Sequence, residues 1–469
     1  MLLNIRSTPP SPEGQTGIMK SKGIILALAI TWCFCALSAL GSWWWPFGSS
    51  ERKKIGDPDD MPKVENPNLK KYVPNKEEDK VSVAHLEKLA KAGNTNAQLT
   101  LGRIYFEGRA GEKQSYDKAF KYYKMAADQD NAQAMFNVGL CYDAGYGVKK
   151  NPEEAVRWYY RSADGGVPEA QANASLIAEQ RGDYESARKY LRMLSTRGNT
   201  AAMRKLALLL STGLGGPTEY EEAASWLKEA SSRGDSRAQV KLADCFQNGL
   251  GVERNYQEMV NWLTLAAQDG DPEAQAKLGF CFQQGLGIGK NADAAFTWYK
   301  LSAATGYATG LVYLGNCYRD GYGTPYNPSE AFNCYQNAAA SGEPIGEFSL
   351  AAAYHDGIGT EVKMAEAEKW MRQAAEHGLA LAQVQMGMFL SGKYEEIPQN
   401  LEEARQWFEK AAAQYDTSGM VQLALCCLYG YGGPVDRKRA EKLLTSAAET
   451  GDRQAILLYE ENFKDSSIK

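Results

Sequence analysis

The sequence predicts an all-α protein, an α-solenoid of about ten two-helix repeats wound as a right-handed superhelix. Three observations predict it. The segment LGRIYFEG around Gly102 recurs as VGLCYDAG at Gly139, LADCFQNG at Ala243, LGFCFQQG at Gly279, LGNCYRDG at Gly315 and LAAAYHDG at Ala351. Weaker copies sit at Ser175, Ala207, Gly387 and Ala424, and successive spacings are 37, 36, 32, 36, 36, 36, 36, 36 and 37 residues. A second marker, a small residue usually followed three positions on by an aromatic, keeps the same beat at Ala119, Ala155, Ala187, Ala223, Met259, Ala295, Ala331, Ala367, Ala404 and Ala440. Third, Gly198, Gly234, Gly270, Gly306, Gly342 and Gly378 close successive units 36 residues apart. A fixed period of this length is the signature of units that bury their apolar faces only by stacking on neighbours.

Residues 1–18 contain Pro and Ser, show no hydrophobic period and read as a disordered extension, with Met19 a second candidate start. Residues 19–45 read as a membrane segment. Lys20 and Lys22 precede the apolar run Gly23 to Gly41, which is long enough to span a bilayer, and Trp43, Trp44 and Trp45 follow where an interfacial belt sits. The small residues Ala39 and Gly41 keep a cleaved signal peptide open beside the anchor. Arg52, Lys53 and Lys54 oppose the two N-terminal lysines in setting orientation. The expected location is a single-pass anchor in the cell membrane, or secretion, with the repeats outside the cytoplasm; the cytoplasmic face of the membrane is the alternative. Residues 46–80, rich in Pro, Lys, Asp and Glu, read as a disordered linker.

Residues 81–93 (VSVAHLEKLAKAG) have the pattern of an isolated second helix and are expected to cap the array at 94–451. Within each repeat, apolar or small residues such as Ala276, Leu278, Gly279 and Phe282 follow a helical period. Glycine at a helix interior costs about 1 kcal/mol against Ala. Its recurrence at Gly279 and its equivalents therefore argues for a packing reason, namely close approach of two helices. Gly-x-Gly turns, such as Gly249-Leu250-Gly251 and Gly321-Tyr322-Gly323, then stop the helix in the left-handed conformation. Asn-Pro pairs (Asn151-Pro152, Asn327-Pro328) start the next one. Residues 452–469 are expected to hold a last first-type helix and a tail.

Composition removes several functions. A formal net charge of −5 spread over 469 residues offers no basic field for nucleic acid. Three scattered histidines and no CxxC pair point to no metal site. Cys141, Cys245, Cys281, Cys317 and Cys426 share one repeat position that elsewhere takes Ile104, Leu209, Ala353 or Phe389, so they read as buried thiols. A Cys317–Cys334 disulfide is the other reading of that pair. The Gly-x-Gly turns follow helices rather than strands, which makes them turns and not phosphate loops, and no cofactor is expected. The recurring aromatics Trp158, Trp226, Trp262, Trp298, Trp370 and Trp407 read as packing residues.

With LGxxYxxGxGV, a polar turn and AxxWYxxAAxxG, the chain resembles the Sel-1-like repeat family, a relative of the tetratricopeptide repeats. The resemblance covers about residues 94–451 and is tightest over 235–378. It implies a non-enzymatic adaptor that assembles proteins, often at membranes or cell envelopes. Three segments depart from it: a 32-residue third unit with Arg181-Gly182-Asp183-Tyr184 in place of Gly-x-Gly, and the irregular loops Gly108–Glu112 and Gly392–Asn400. The two-cysteine disulfide scheme of some relatives is not carried over, since most repeats here have one cysteine or none.

The resemblance implies that first helices line the concave face. Positions two before, one after and four after the recurring Gly then share a face. They are Lys241, Asp244 and Gln247; Lys277, Phe280 and Gln283; Tyr313, Asn316 and Arg319; and Ser349, Ala352 and His355. A polar groove with exposed Phe and Tyr suits a partner protein or an extended peptide. No catalytic residue is expected. The alternative is a cell-envelope enzyme or binder acting on β-lactam or cell-wall material, suggested by Ser-x-x-Lys at Ser115–Lys118, Ser186–Lys189 and Ser225–Lys228. His355 beside Asp356 has the makings of a base but has no neighbouring nucleophile in the sequence, and a surface histidine is the expectation.

Overall fold

The computed structural model describes residues 82–464, and among these it contains 22 α-helices and no strand. The expected extension, membrane segment 23–41 and linker lie outside the described residues. Two compact units are present. One holds residues 82–274 with Leu286–Ile288, and the other holds Gln275–Gly285 and residues 289–464.

The first unit opens with the helix Val83–Lys91 and continues as helix pairs, from Thr95–Glu107 with Tyr116–Ala127 to Ser236–Asn248 with Tyr256–Gln268. The second continues the alternation through Ala308–Asp320 with Pro328–Ala340 and Pro344–Asp356 with Met364–Glu376, and ends on Arg453–Phe463. The regularity of these helices, most of them 13 residues long, comes from their ends. Several first helices start at a side-chain cap three residues before an alanine or glycine: Asn94 accepts from the Ala97 N–H, Asp235 from Ala238 and Asp416 from Gly419. Most first helices stop at a left-handed glycine, as at Gly249, φ +70°, whereas Pro168–Gln180 ends at Arg181 and Ala380–Met388 runs on into Phe389. The short third unit, which has no Gly-x-Gly turn, still forms the pair Pro168–Gln180 and Tyr184–Ser195.

The two glycines of each turn have different tasks. The first closes the helix. The second, Gly323 (φ +65°), lies against the Ala292 carbonyl at the start of the preceding repeat's second helix, and a Cβ there would overlap that oxygen. Gly147, Gly251 and Gly359 repeat the contact on Tyr116, Tyr220 and Pro328. The turn is thus also the joint between neighbouring repeats.

Two buried polar devices add to that joint. Gln98, Gln171, Gln239 and Gln383 each send an amide N–H to a carbonyl near the end of the preceding helix, at 2.9, 3.2, 3.3 and 3.1 Å. Arg188, buried, donates to the carbonyls of Leu209, Leu214 and Pro217 at 2.7–3.0 Å and to Glu219 at 3.0 Å. Arg405 repeats the device on Pro434 at 3.2 Å. Both arginines stand under a Gly-Gly-Pro turn, at Gly215-Gly216-Pro217 and Gly432-Gly433-Pro434. A Cβ on Gly216 or Gly433 would lie within 2.9 or 2.6 Å of the guanidinium.

All seven described cysteines are free thiols, so Cys317 and Cys334 are not bridged. Burial pushes Cys141, Cys281 and Cys317 up to about 12, which keeps them protonated and unreactive.

Candidate functional site

The sequence-predicted face is built most fully in the second unit. Phe280 and Tyr313, one repeat apart, bring their ring centroids to 6.2 Å. Tyr313 also stacks on Tyr299 at 4.9 Å, with the planes 27° apart. Tyr299 rises from the second helix Ala292–Ala304 and is fully buried, because Gly279 opposite it has no side chain. Burial raises the Tyr313 hydroxyl to about 12 and Tyr299 well above the usual phenol range, so both remain neutral donors.

Buried tyrosines fix the amides of the face. The Tyr299 hydroxyl donates to Gln283 Oε1 at 2.6 Å, and Tyr335 donates to Asn316 Oδ1 at 2.7 Å. With their oxygens occupied, Gln283 and Asn316 keep their NH2 groups as hydrogen-bonding functions. Arg319 is held by Asp320 through two bonds of 2.7 and 2.8 Å. This row of half-buried rings and oriented amide donors can take apolar side chains and backbone carbonyls of a partner segment.

The other predicted residues are placed differently. Lys277 is half-buried on the same first helix as Phe280. Ser349 turns its hydroxyl back to the Ile345 carbonyl at 2.7 Å, and Ala352 is buried in the core, so neither offers a contact to a partner. Lys241, Asp244 and Gln247 lie half-buried on Ser236–Asn248 of the first unit.

His355 departs from the expected surface histidine. Its Nδ1 lies 2.6 Å from Asp356 Oδ1 and its Nε2 lies 3.0 Å from the Tyr394 hydroxyl. The ring stacks on Phe389 at 5.8 Å and meets Tyr394 edge-on at 5.3 Å. Phe389 opens a five-residue π-helical turn, Phe389–Lys393, which delivers Tyr394 to the histidine. Burial, with Asp356 nearby, pushes the Tyr394 hydroxyl up and away from phenolate chemistry. The irregular loop thus supplies a hydrogen-bonded bridge between neighbouring repeats rather than a nucleophile.

In two of the three Ser-x-x-Lys segments one member is engaged elsewhere. Ser115 is an N-cap for the Lys118 N–H, and Lys189 pairs with Asp164 at 2.6 Å.

Sequence reasoning misses Tyr299, Tyr335 and Tyr394, and reads Phe389 only as a packing residue. The first two carry a signal, since each stands four residues after a marker alanine and opposite a glycine. Phe389 keeps the period, two residues after Gly387, whereas Tyr394 sits at an irregular loop where the period gives no register.

The Sel1 repeat model matches residues 95–131, 132–167, 200–235, 236–271, 272–307, 308–343, 344–379, 380–416 and 417–452. The pair at 168–199 lies between these matches. DAP3-binding cell death enhancer 1 of Rattus norvegicus is 38% identical over 90 residues, covering 19% of this chain and 17% of the relative. Chitin synthase regulatory factor 2 of Schizosaccharomyces pombe is 31% identical over 113 residues, 23% of this chain and 22% of the relative. The chain therefore spans less than a quarter of the length of these curated relatives. Among solved structures, c5321, a protective antigen present in uropathogenic Escherichia coli strains displaying an SLR fold, aligns at 27% identity with a TM-score of 0.50 over 81% of this chain and 82% of that one. With nine repeats matched across more than half of its length, the chain belongs to the Sel1 repeat family.

Proposed function

We propose that this chain is a non-enzymatic scaffold that binds partner proteins or peptides on the exposed face of its first helices, held at a membrane through residues 23–41. The observation that carries the reading is the row of Phe280, Tyr313, Gln283 and Asn316. It combines half-buried aromatic area with amide donors fixed by buried tyrosines, the mixture that protein recognition surfaces use. The names of two relatives fit it: one is named for binding another protein and one for regulating an enzyme. Lys277, Arg319 and His355 belong to the same proposed surface, and Lys241, Asp244 and Gln247 to the first-helix face of the first unit.

Affinity capture with the full chain tests this reading. Phe280→Ala with Tyr313→Ala is expected to weaken partner retention about tenfold or more with helicity unchanged. Retention equal to the parent protein counts against it. Membrane attachment rests on the apolar run at 23–41 alone; among the described residues no helix is long and apolar enough to cross a membrane. Membrane fractionation, with protease accessibility of the repeats in intact and lysed cells, tests attachment and sidedness together.

A further inference from the structure

The last matched repeat departs from most of its siblings at three positions at once, and all three meet around one cavity. The five preceding repeat-closing turns carry Gly234, Gly270, Gly306, Gly342 and Gly378 in the left-handed region. The turn entering the last repeat carries Tyr415 there, at φ +61°, with 81% of the residue exposed; the small Asp130 does the same at φ +60° in the turn entering the second matched repeat. A bulky side chain adopts this conformation only under constraint. Three residues after the second-helix marker, six of the nine earlier second helices carry Trp158, Trp226, Trp262, Trp298, Trp370 and Trp407 and the other three carry Tyr122, Tyr190 and Cys334, whereas the last carries Leu443. One residue before the marker, six earlier repeats carry Glu154, Glu222, Glu258, Glu330, Glu366 and Glu403, and Lys118, Ser186 and Ala294 stand in the others; the last carries Arg439.

The last two departures are linked. Glu222 and Glu403 accept the indole N–H of Trp226 and Trp407 at 3.0 and 3.2 Å, so the final repeat has lost both members of a pair. Tyr415, Arg439 and Leu443, with Met420 and Lys442, line a cavity of about 310 Å³. That is within the range of small binding pockets. Its charge has also changed sign. The second helix Arg437–Glu449 has no acidic residue in its first turn, whereas the nine preceding second helices each have at least one. Arg439 retains an ion pair with Glu409 at 2.8 Å, and Lys442 stands exposed at the rim.

We propose that this cavity is a second binding site, which takes the tryptophan ring of an acidic peptide donated by a partner protein. The ring occupies the space that a repeat's own tryptophan fills elsewhere, against Met420 and Leu443 and beneath Tyr415. Methionine sulfur and aromatic faces suit such a ring. Carboxylates flanking it meet Lys442 and the basic start of Arg437–Glu449. The site is framed largely by second helices, and it does not depend on the first-helix face proposed above.

Fluorescence anisotropy with the full chain tests the proposal, using a fluorescein-labelled peptide Asp-Glu-Asp-Trp-Glu-Asp. One comparator peptide replaces its Trp with Ala, and another replaces its acids with Asn and Gln. Saturable binding to the parent protein is expected. It should fall about tenfold or more in Leu443→Trp and for the Ala peptide, and about threefold or more in Lys442→Glu and for the neutral peptide. Leu443→Trp and Tyr415→Gly restore the residues of sibling repeats and should melt no lower than the parent; Lys442→Glu changes an exposed side chain and guards against a folding artefact. Absence of saturable binding, or undiminished binding in Leu443→Trp or to the Ala peptide, overturns the proposal. Binding lost in Phe280→Ala with Tyr313→Ala but kept in Leu443→Trp also overturns it, by moving the peptide to the first-helix face.

Discussion

Gly279 and Tyr299 are a matched pair: a methyl group on Gly279 would lie 2.7 Å from the tyrosine ring, which is wholly buried against it. The same match joins Gly139 to Tyr159, Gly315 to Tyr335 and Gly387 to Phe408, at 2.8, 2.6 and 2.5 Å. Where the first helix carries Ser175, Ala207, Ala243, Ala351 or Ala424, the second carries Leu191, Leu227, Leu263, Met371 or Leu444 instead. Size on one helix compensates size on the other, repeat by repeat.

The pairing predicts non-additivity. Gly279→Ala gains about 1 kcal/mol of helix propensity but forces overpacking worth about 1–3 kcal/mol, for a net loss. Tyr299→Leu alone leaves a void and strips Gln283 of its donor. Combined, the two changes recreate the small–aliphatic pair of the sibling repeats. A double-mutant cycle by chemical denaturation should show about 1–2 kcal/mol of favourable coupling; strict additivity would show that the pair is not matched.

The two classes of glycine should respond unequally to alanine. Gly306 has φ +83° and open space where a Cβ would stand, with no atom within 4 Å, so Gly306→Ala carries only the left-handed penalty of about 1–2 kcal/mol. Gly323→Ala adds a backbone overlap with Ala292 and should cost at least about 1 kcal/mol more. Thermal melts of the two variants compare the penalties directly.

Arg188 should resist conservative replacement. Its guanidinium serves three carbonyls and Glu219 at once. Lysine cannot reproduce that fork. Arg188→Lys and Arg188→Ala are both expected to destabilise the first unit by about 3 kcal/mol or more, through buried carbonyls left without donors. Loss of less than about 1 kcal/mol in urea denaturation would show that solvent replaces the fork.

Acid should weaken the first unit through Glu222. The Arg192 hydrogen bonds hold its carboxyl near 2, below the ordinary 4.5, with the Trp226 indole adding to the effect. A depressed folded-state value means stabilisation that is present above about 4.5 and lost as pH falls towards 2. Glu222→Gln should therefore flatten the dependence of melting temperature on pH across that window and leave the rest of the profile unchanged.

Much of the architecture is legible in the sequence because stacking forces a strict period. Gly102 and its equivalents set the register of first helices, Ala119 and its equivalents that of second helices, and the turn glycines the helix ends. The reason for the central glycine is only half legible: close approach is readable, but the aromatic it admits stands one residue beyond the conspicuous tryptophan. Gln98 and its equivalents do not announce themselves as joints, since an amide in a helix looks like surface until its neighbour's carbonyls are in place. The surroundings of His355 escape a sequence reading because Tyr394, 39 residues away, arrives through a π-helical turn that breaks the period. For the candidate face, spacing puts Phe280 and Tyr313 on neighbouring first helices, where their rings meet. It cannot tell that Ala352 is buried or that Ser349 bonds its own helix.

Photocrosslinking tests the scaffold claim most directly. A benzophenone amino acid is placed at position 280 or 313 on the first-helix face, and at position 301, where Leu301 is 46% exposed on a second helix. The account predicts a discrete adduct with a partner protein from positions 280 and 313, abolished by excess unlabelled partner, and none from position 301. Adducts of equal yield from all three positions, or from position 301 alone, would contradict it.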